Sequence, residues 1–438
     1  MKQTLVWLVL LTPEVCWCQE ELTLDQAVNL ALTNNRRIQV AQLEVGKSED
    51  AVAVARTYRL PTFRFNLLEL QPLTHIDFHF PAGSLGTLPG MGPIPATDST
   101  IRSPLLPTTL FLGGVDQPLS QLRRIAIGVV LQDLNRKLTL QRLRREELAV
   151  ASEVKKAYYA MLLTQSALAA TQEALKLFRE LERVANEGLA QQAVLQSDVL
   201  EVQTRLAQTE LDALTLRNGL QTQQSQLNLL LGRSFETEFR LAPVSDTPEV
   251  EMDRSAAQAR ALEQRPELDE ARLKVLQAQQ DRGFKKAEGI PEVSLTLDYL
   301  GLANIHFLPS STVGVGFQVN WSVFDWGRRK KELASKDKTI EQAKLAVTET
   351  EAQIQLEVDA DRHKLDETRA RLKVSDLSRK TAAEKLRVAL NKREEQAVQI
   401  KDVLQMQVSL AESNHQYQQD LLAYWTAKAD FDKAIGGR

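Results

Sequence analysis

The chain is written twice, and that constrains its fold more than any other feature. Residues 255–297 repeat residues 25–67 at an offset of 230: Ala31-Leu32 returns as Ala261-Leu262, and Pro61 as Pro291. Further on, residues 319–436 repeat 115–232 at an offset of 204. There Ala193-Val194 and Asp198-Val199-Leu200 return as Ala397-Val398 and Asp402-Val403-Leu404, and Gly232 as Gly436. Self-similarity of this kind marks one structural unit used two times. The offsets differ by 26 residues, so the first copy carries an insertion between residues 68 and 114.

Proline shows where each unit can be helical, because inside a helix it removes a hydrogen bond. None occurs between Leu119 and Ala242, and none after Pro309. Both stretches are rich in Ala, Leu, Gln, Glu, Lys and Arg, and only 5% of all residues are aromatic, the profile of long helices. Apolar residues recur as Leu143, Val150, Val154, Met161 and Leu168, and again as Val347, Ile354, Val358, Leu365 and Leu372. Steps of seven joined by a step of four are a coiled-coil seam with one stutter.

Each stretch breaks once, near 186–197 and 391–401. Asp198 with Glu201, and Asp402 with Gln405, read as N-cap pairs that restart a helix. The unit is therefore a helical hairpin. Its first arm covers about 122 to 186, roughly 97 Å, and its second 199–231, roughly 50 Å. A separate helix over 24–58 adds roughly 52 Å, so two half-length helices stacked end to end match one long arm.

Between the helices the pattern changes to period two. Val313, Val315, Phe317, Val319, Trp321 and Val323 alternate with small or polar residues, a strand apolar on one face and wet on the other. Its length suits a tilted membrane-spanning strand. A partner precedes it at Val293, Leu295, Leu297 and Tyr299; the first copy matches with Phe63, Phe65 and Leu67, then a weaker strand around Phe111 to Leu119. Residues 68–114, with seven prolines and six glycines, read as an irregular surface loop. Two strands per copy give four per chain. Four cannot close a barrel, and an open edge is not tolerated in lipid, so several chains must pool their strands.

The N-terminus reads as an export signal over residues 1–18: Lys2, then the apolar run 5–11, too short to span a bilayer. Cleavage after Cys18 leaves no cysteine, which excludes disulfides and thiol chemistry. Lipidation of Cys16 or Cys18 is the alternative, though Glu14, Val15 and Trp17 fit a lipoprotein signal badly. The expected domains are this signal, a first repeat over 19–232, a connector over 233–254 and a second repeat over 255–438. A net charge of −3 gives no electrostatic footprint for nucleic acid. His75, Asp77 and His79 would share a strand face but have no further His nearby, so no metal site is assigned. No catalytic constellation, phosphate loop or cofactor motif is present, and an enzyme is not expected.

In its paired layout the chain resembles the TolC family of outer-membrane efflux proteins. The resemblance is carried by Leu24, Ala27 and Leu32 with Arg56 and Leu60-Pro61, by Arg265-Pro266-Glu267-Leu268, and by Val115-Asp-Gln-Pro-Leu119. It is also carried by the run Trp321 to Arg328, the Asp-Val-Leu tips and Leu227 to Arg233. It implies a mainly α, TolC-like fold with an internal two-fold repeat. Long antiparallel coiled-coil helices would form a periplasmic tunnel, and three chains would share a twelve-strand barrel in the outer membrane. It further implies a passive exit duct without cofactor, a homotrimer docking at its helical tips on a periplasmic adaptor and an inner-membrane pump or type I secretion system.

The contact residues so implied are Gly188, Ala193, Val194, Asp198, Val199 and Leu200, with Ala397, Val398, Asp402, Val403 and Leu404. Glu384, Arg387, Lys392, Glu394 and Glu395 are candidates for links closing the tunnel mouth. Asn35-Arg36 stands where the family usually has Asn-Pro, and Lys392 falls where the first tip has Gly188. The alternative is a soluble periplasmic coiled-coil adaptor or scaffold. The cargo and the pump class are not legible in the residues.

Overall fold

The computed structural model describes residues 21–102, 105–192, 194–243, 252–304, 309–394 and 398–437. The export signal with Cys16 and Cys18, the tip residues Ala193 and Ala397, and Glu395 lie outside these, as does the side chain of Glu394. The chain falls into two compact units, one of 1–46, 138–273 and 344–438, the other of 47–137 and 274–343.

The first half begins with β1 (Glu21–Leu22), α1 (Leu24–Asn34) and α2 (Arg36–Thr57). Next come β2 (Thr62–Leu70), β3 (Asp77–Phe80), β4 (Thr87–Leu88), β5 (Gly92–Pro93), β6 (Ser99–Arg102) and β7 (Thr108–Pro118). Then follow α3 (Leu122–Ala190), α4 (Gln196–Leu230) and the short β8 (Arg240–Leu241). The second half has α5 (Arg254–Gln264), α6 (Pro266–Ala287), β9 (Glu292–Ala303), β10 (Ser311–Asn320), α7 (Arg328–Glu394) and α8 (Ile400–Ala434). Helices of 11, 22, 69 and 35 residues are thus answered by helices of 11, 22, 67 and 35.

The first unit repeats in its packing as well. Ala27, Ala31, Ile38, Val150, Val154, Leu227 and Leu231 are buried together. Their counterparts Ala257, Ala261, Leu268, Ile354, Val358, Phe431 and Ile435 form a second core. Each core takes the middle of the seam expected from the sequence, Val150 and Val154 or Ile354 and Val358. The adjoining helix contributes alanines at a four-residue spacing, letting helices approach closely at that face.

The single helix expected over 24–58 is in fact two. Asn35 is extended, with ψ at 130°. Its amide nitrogen donates to the Leu230 carbonyl at 2.8 Å, and its side-chain oxygen accepts from the Arg37 N–H at 2.9 Å. The side chain thus starts α2 while the Asn35 N–H closes α1 on Ala31. In the second half Arg265 is extended before Pro266, where proline itself forbids a continuous helix.

α4 and α8 each end in one paired turn. Arg233 N–H donates to Asn228 and Gly232 N–H to Leu229, and Gly437 to Asp432 and Gly436 to Lys433 in the same pattern. This is the Schellman geometry, which puts Gly232 and Gly436 at φ of 68° and 76°.

The connector after α4 holds a feature with no sequence signal. β8 pairs in parallel with β1, Leu22 against Leu241. The buried Tyr158 hydroxyl, 2.7 Å from the Ala242 carbonyl and 2.9 Å from that of Leu22, ties both segments to α3. Burial, ahead of any hydrogen bond, pushes this phenol up to about 12, so the neutral form is the one the fold holds. The stability it contributes is complete below the unfolded value near 10 and is lost as pH rises through the gap. Thermal unfolding followed at stepwise alkaline pH should show that loss in the native chain and much less of it in Tyr158→Phe.

The second unit is built on a four-stranded antiparallel sheet of order β10-β9-β7-β2. The region 68–114 is not an irregular loop, as the sequence suggested. β2 and β7 extend into it, and between them β3 pairs with β6 and β4 with β5. The prolines misled because Pro81, Pro89 and Pro95 sit at turns beyond these short ladders, where no ladder hydrogen bond is lost. Strand β10 ends at Asn320, so Trp321 and Val323 fall beyond it.

Candidate functional site

The sheet register decides what the second unit can meet. Val313, Val315, Phe317 and Val319 of β10 lie opposite Tyr299, Leu297, Leu295 and Val293 of β9. Leu297 in turn faces Val115 of β7, which faces Phe63 of β2; Gly113 faces Phe65 and Phe111 faces Leu67. Side chains alternate across a sheet, so all of these share one face. That face carries few polar groups across four strands, and no other element among the described residues covers it: Phe63 is 76% exposed, Val315 74% and Phe317 71%.

The opposite face is polar in its half next to the helices. Thr62, Arg64 and Asn66 of β2, Gly114 and Asp116 of β7, Thr296 and Asp298 of β9, and Gln318 and Asn320 of β10 lie there. Arg64 pairs with Asp116 at 2.5 Å. A sheet apolar on one side and charged on the other suits lipid outside and water inside. Both edges, β2 and β10, are open. No described helix is long and apolar enough to cross a membrane.

The helical turns carry the other expected site. Asp198 and Asp402 are not N-caps, because the N-cap positions of α4 and α8 are Leu195 and Gln399, three residues earlier. At this third position a carboxylate reaches back: Asp402 accepts the Gln399 N–H at 3.3 Å. Val199 packs with Phe178, Leu181 and Leu404 in one cluster, and Val403 with Leu386 and Ala389 in another. Val199, Val403 and Leu404 are therefore buried in the hairpins, whereas Leu200 and Asp402 are exposed. Gly188 is needed for the turn, since a Cβ there would lie 2.6 Å from Val194. Val194 and Val398 are half-buried.

Of the charged set, Glu384 and Arg387 pair at 2.7 Å along one helix, and this bond holds the carboxylate below its usual range. Arg393 donates to the Val398 carbonyl at 3.2 Å across the turn, and Lys392 is exposed. Asp77 is taken by Arg102 at 2.9 Å and His79 by Thr100 at 2.8 Å, and no metal-holding group is found among the described residues.

A buried ionic group went unnoticed in the sequence. Arg265, 7% exposed, pairs with Glu267 at 2.9 Å and with Glu357. In the first half Arg37 takes Glu146 at 2.6 Å and Glu153 at 2.8 Å. Glu153 and Glu357 correspond at the repeat offset, so the acidic partner kept its place while the arginine moved by two residues. Next to Glu357, one turn along α7, Asp361 has its carboxyl pushed up by burial and then by Glu357 and Asp430. Arg265 and Lys156 only partly oppose this, the first being engaged by Glu267 and Glu357 and the second by Asp430. The charged form is disfavoured in the fold, so its cost is present at high pH and vanishes on protonation. Asp361→Asn should raise the melting temperature at pH near 8, and the gain should fade as pH falls below the unfolded value of 3.8, where the carboxyl becomes protonated in both states.

These features define a fold: a four-stranded antiparallel sheet with open edges, joined to paired helical hairpins. Residues 258–437 match the outer membrane efflux protein family. Solved outer-membrane channels have the same fold over nearly the whole chain. Campylobacter jejuni CmeC matches at a TM-score of 0.76 and 15% identity over 94% of this chain and 85% of its own. Neisseria gonorrhoeae MtrE, described in its open state, gives 0.72 and 16% over 94% and 89%. Vibrio cholerae VceC gives 0.70 and 15% over 94% and 96%. No curated protein matches the sequence. The chain is thus similar to the outer membrane efflux proteins over residues 258–437, and it has the TolC-like fold of these solved channels over nearly its whole length.

Proposed function

We propose that the chain is an exit duct of the outer membrane, working in a tripartite efflux or type I secretion system. Three copies would join open edges, β10 of one beside β2 of the next, in a twelve-strand barrel, with their helices extending into the periplasm. The observation that supports this most is the uncovered apolar face running in register over all four strands, between two unpaired edges. Water would penalise such a face heavily, and a soluble adaptor or scaffold has no use for it. Transport would be passive, since the family's matched members are channels.

In this reading the division into a leader over 1–18, repeats over 19–232 and 255–438 and a connector over 233–254 is functional, each repeat supplying two strands and one hairpin. Leu200 and Asp402, both exposed, and the half-buried Asp198 are the residues that would meet a periplasmic adaptor coupled to an inner-membrane pump. Gly188, Val194, Val199, Val398, Val403 and Leu404 would shape the hairpins beneath them, and Ala193 and Ala397 are proposed contact residues outside the described residues. Glu384, Arg387, Lys392, Glu394 and Glu395 would bias the tunnel mouth. The reading is tested by fractionation and planar-bilayer recording. Outer-membrane location with discrete conductance steps is expected; a soluble periplasmic protein without conductance would refute it.

A further inference from the structure

The joint between β10 and α7 holds an arrangement that the duct reading does not use. Trp326 sits at φ 56°, in the left-handed region, and its ring is 90% exposed. A bulky residue is rarely held there, and strain maintained by its surroundings points to a task. Its surroundings do maintain it. Asp325 accepts the N–H groups of Gly327 and Arg329, both at 3.1 Å, and pairs with the Arg329 side chain at 3.3 Å. Arg329 also donates to the Ser322 carbonyl at 2.8 Å. Phe324, itself exposed, packs edge-on against Trp326 at 4.8 Å. Immediately after this braced turn stand Arg328, Lys330 and Lys331, exposed and without an ion pair among the described residues. The aromatic pair stands between the end of β10, which carries the apolar row Val313 to Val319, and the start of α7.

We infer that this joint binds the phosphate of an anionic phospholipid, with Trp326 and Phe324 seated at the headgroup level and Arg328, Lys330 and Lys331 holding the charge. The inference rests on the membrane-barrel reading. Amphipathic rings favour the bilayer interface, and cations beside it gain from anionic lipid. Three unpaired cations next to two exposed rings, at the end of a lipid-facing row, complement an anionic leaflet and leave a zwitterionic one without a specific role. The first copy has a weaker version. Of Arg123 and Arg124, the second is engaged by Glu292 at 2.5 Å, and no aromatic turn precedes them.

The test is tryptophan quenching in the full-length protein reconstituted into vesicles with brominated phosphatidylglycerol or, at equal mole fraction, brominated phosphatidylethanolamine. Trp425, stacked on Tyr159 at 4.7 Å and buried, serves as a shielded reference, and Trp326→Phe identifies the signal of interest. Trp326 should be quenched more by phosphatidylglycerol. Arg328→Gln, Lys330→Gln and Lys331→Gln should each lower that preference, by about fivefold per cation at most, and together abolish it. Retained oligomer on an unboiled gel checks that the triple variant is folded. Inorganic phosphate should compete no better than chloride at equal ionic strength; selective competition would mean a free-anion site and overturn the lipid assignment. Equal quenching by both lipids would overturn the inference and leave the barrel standing. Quenching of Trp321 but not Trp326 would mean that a second copy covers the turn, which also overturns it. Quenching of neither would sink the barrel reading itself.

Discussion

Val315→Arg should remove the chain from the membrane-embedded oligomer, whereas Gly316→Arg, one residue away, should leave it there. Val315 is 74% exposed, in register with Leu297, on the face that has no cover within the chain. If that face meets hydrocarbon, an arginine near its middle costs about 2–4 kcal/mol per chain, and in a closed ring the cost recurs in every copy. Gly316 points to the other face, where an added Cβ would find only the Thr296 hydroxyl at 3.8 Å, an ordinary contact. Its arginine would extend into water beside Thr296 and Gln318. Membrane fractionation with unboiled electrophoresis reads both variants. Equal behaviour would mean that the two faces see the same solvent, which no membrane-barrel account allows.

Gly232→Ala should be the most damaging small substitution in the helical unit. Two causes add. The position lies at φ 68°, which disfavours any side chain by about 1–2 kcal/mol. A Cβ would also stand 2.2 Å from the Asn34 carbonyl oxygen and 2.7 Å from its carbon, and these are backbone atoms at the end of α1 that cannot turn aside. Overpacking of this kind adds about 1–3 kcal/mol, so a total of about 2–5 kcal/mol is expected. Gly436→Ala meets Gln264 Cβ at 2.8 Å and its backbone carbon at 3.2 Å, a looser site, and should cost less. The comparison is informative because the two positions correspond at the repeat offset. Chemical denaturation of the purified chain with matched Gly→Ala variants at 219, where nothing lies within 4 Å, supplies the reference. A Gly232→Ala no worse than the reference would refute the close approach of α1 to the end of α4.

What the sequence made legible was periodic: the duplication, the seam residues Val150, Val154, Ile354 and Val358, and the alternation that places Val313 to Val319 on one face. Periodicity reports which side of an element is buried, and it cannot report where the element starts. Asp198 and Asp402 illustrate this, since an acidic residue is favoured both at the cap and at the third helical position, and only backbone geometry distinguishes them. Asn35 shows the same ambiguity. Its side-chain oxygen caps α2 on the Arg37 N–H while its amide nitrogen donates to Leu230, 195 residues away, a contact that no local pattern encodes.

Features made by two distant segments left still less trace. β1 and β8 are two residues each, below any alternation signal, and Tyr158 joins them only because α3 passes beneath. The inserted ladders between β2 and β7 were hidden by proline density, although Pro81, Pro89 and Pro95 lie outside the pairs and Pro93 ends its two-residue strand. Among the site residues, exposure separated Leu200 and Asp402 from Val199, Val403 and Leu404, a distinction that adjacent residues of one motif do not reveal.

The central claim, that several chains pool their open-edged sheets, is tested most directly by the mass of the particle extracted from outer membranes in mild detergent. Each chain is 49.1 kDa before any processing. Native mass measurement should give three chains per particle, collapsing to one on heating. A single chain in the unheated extract, with β2 and β10 both unpaired, would contradict the account.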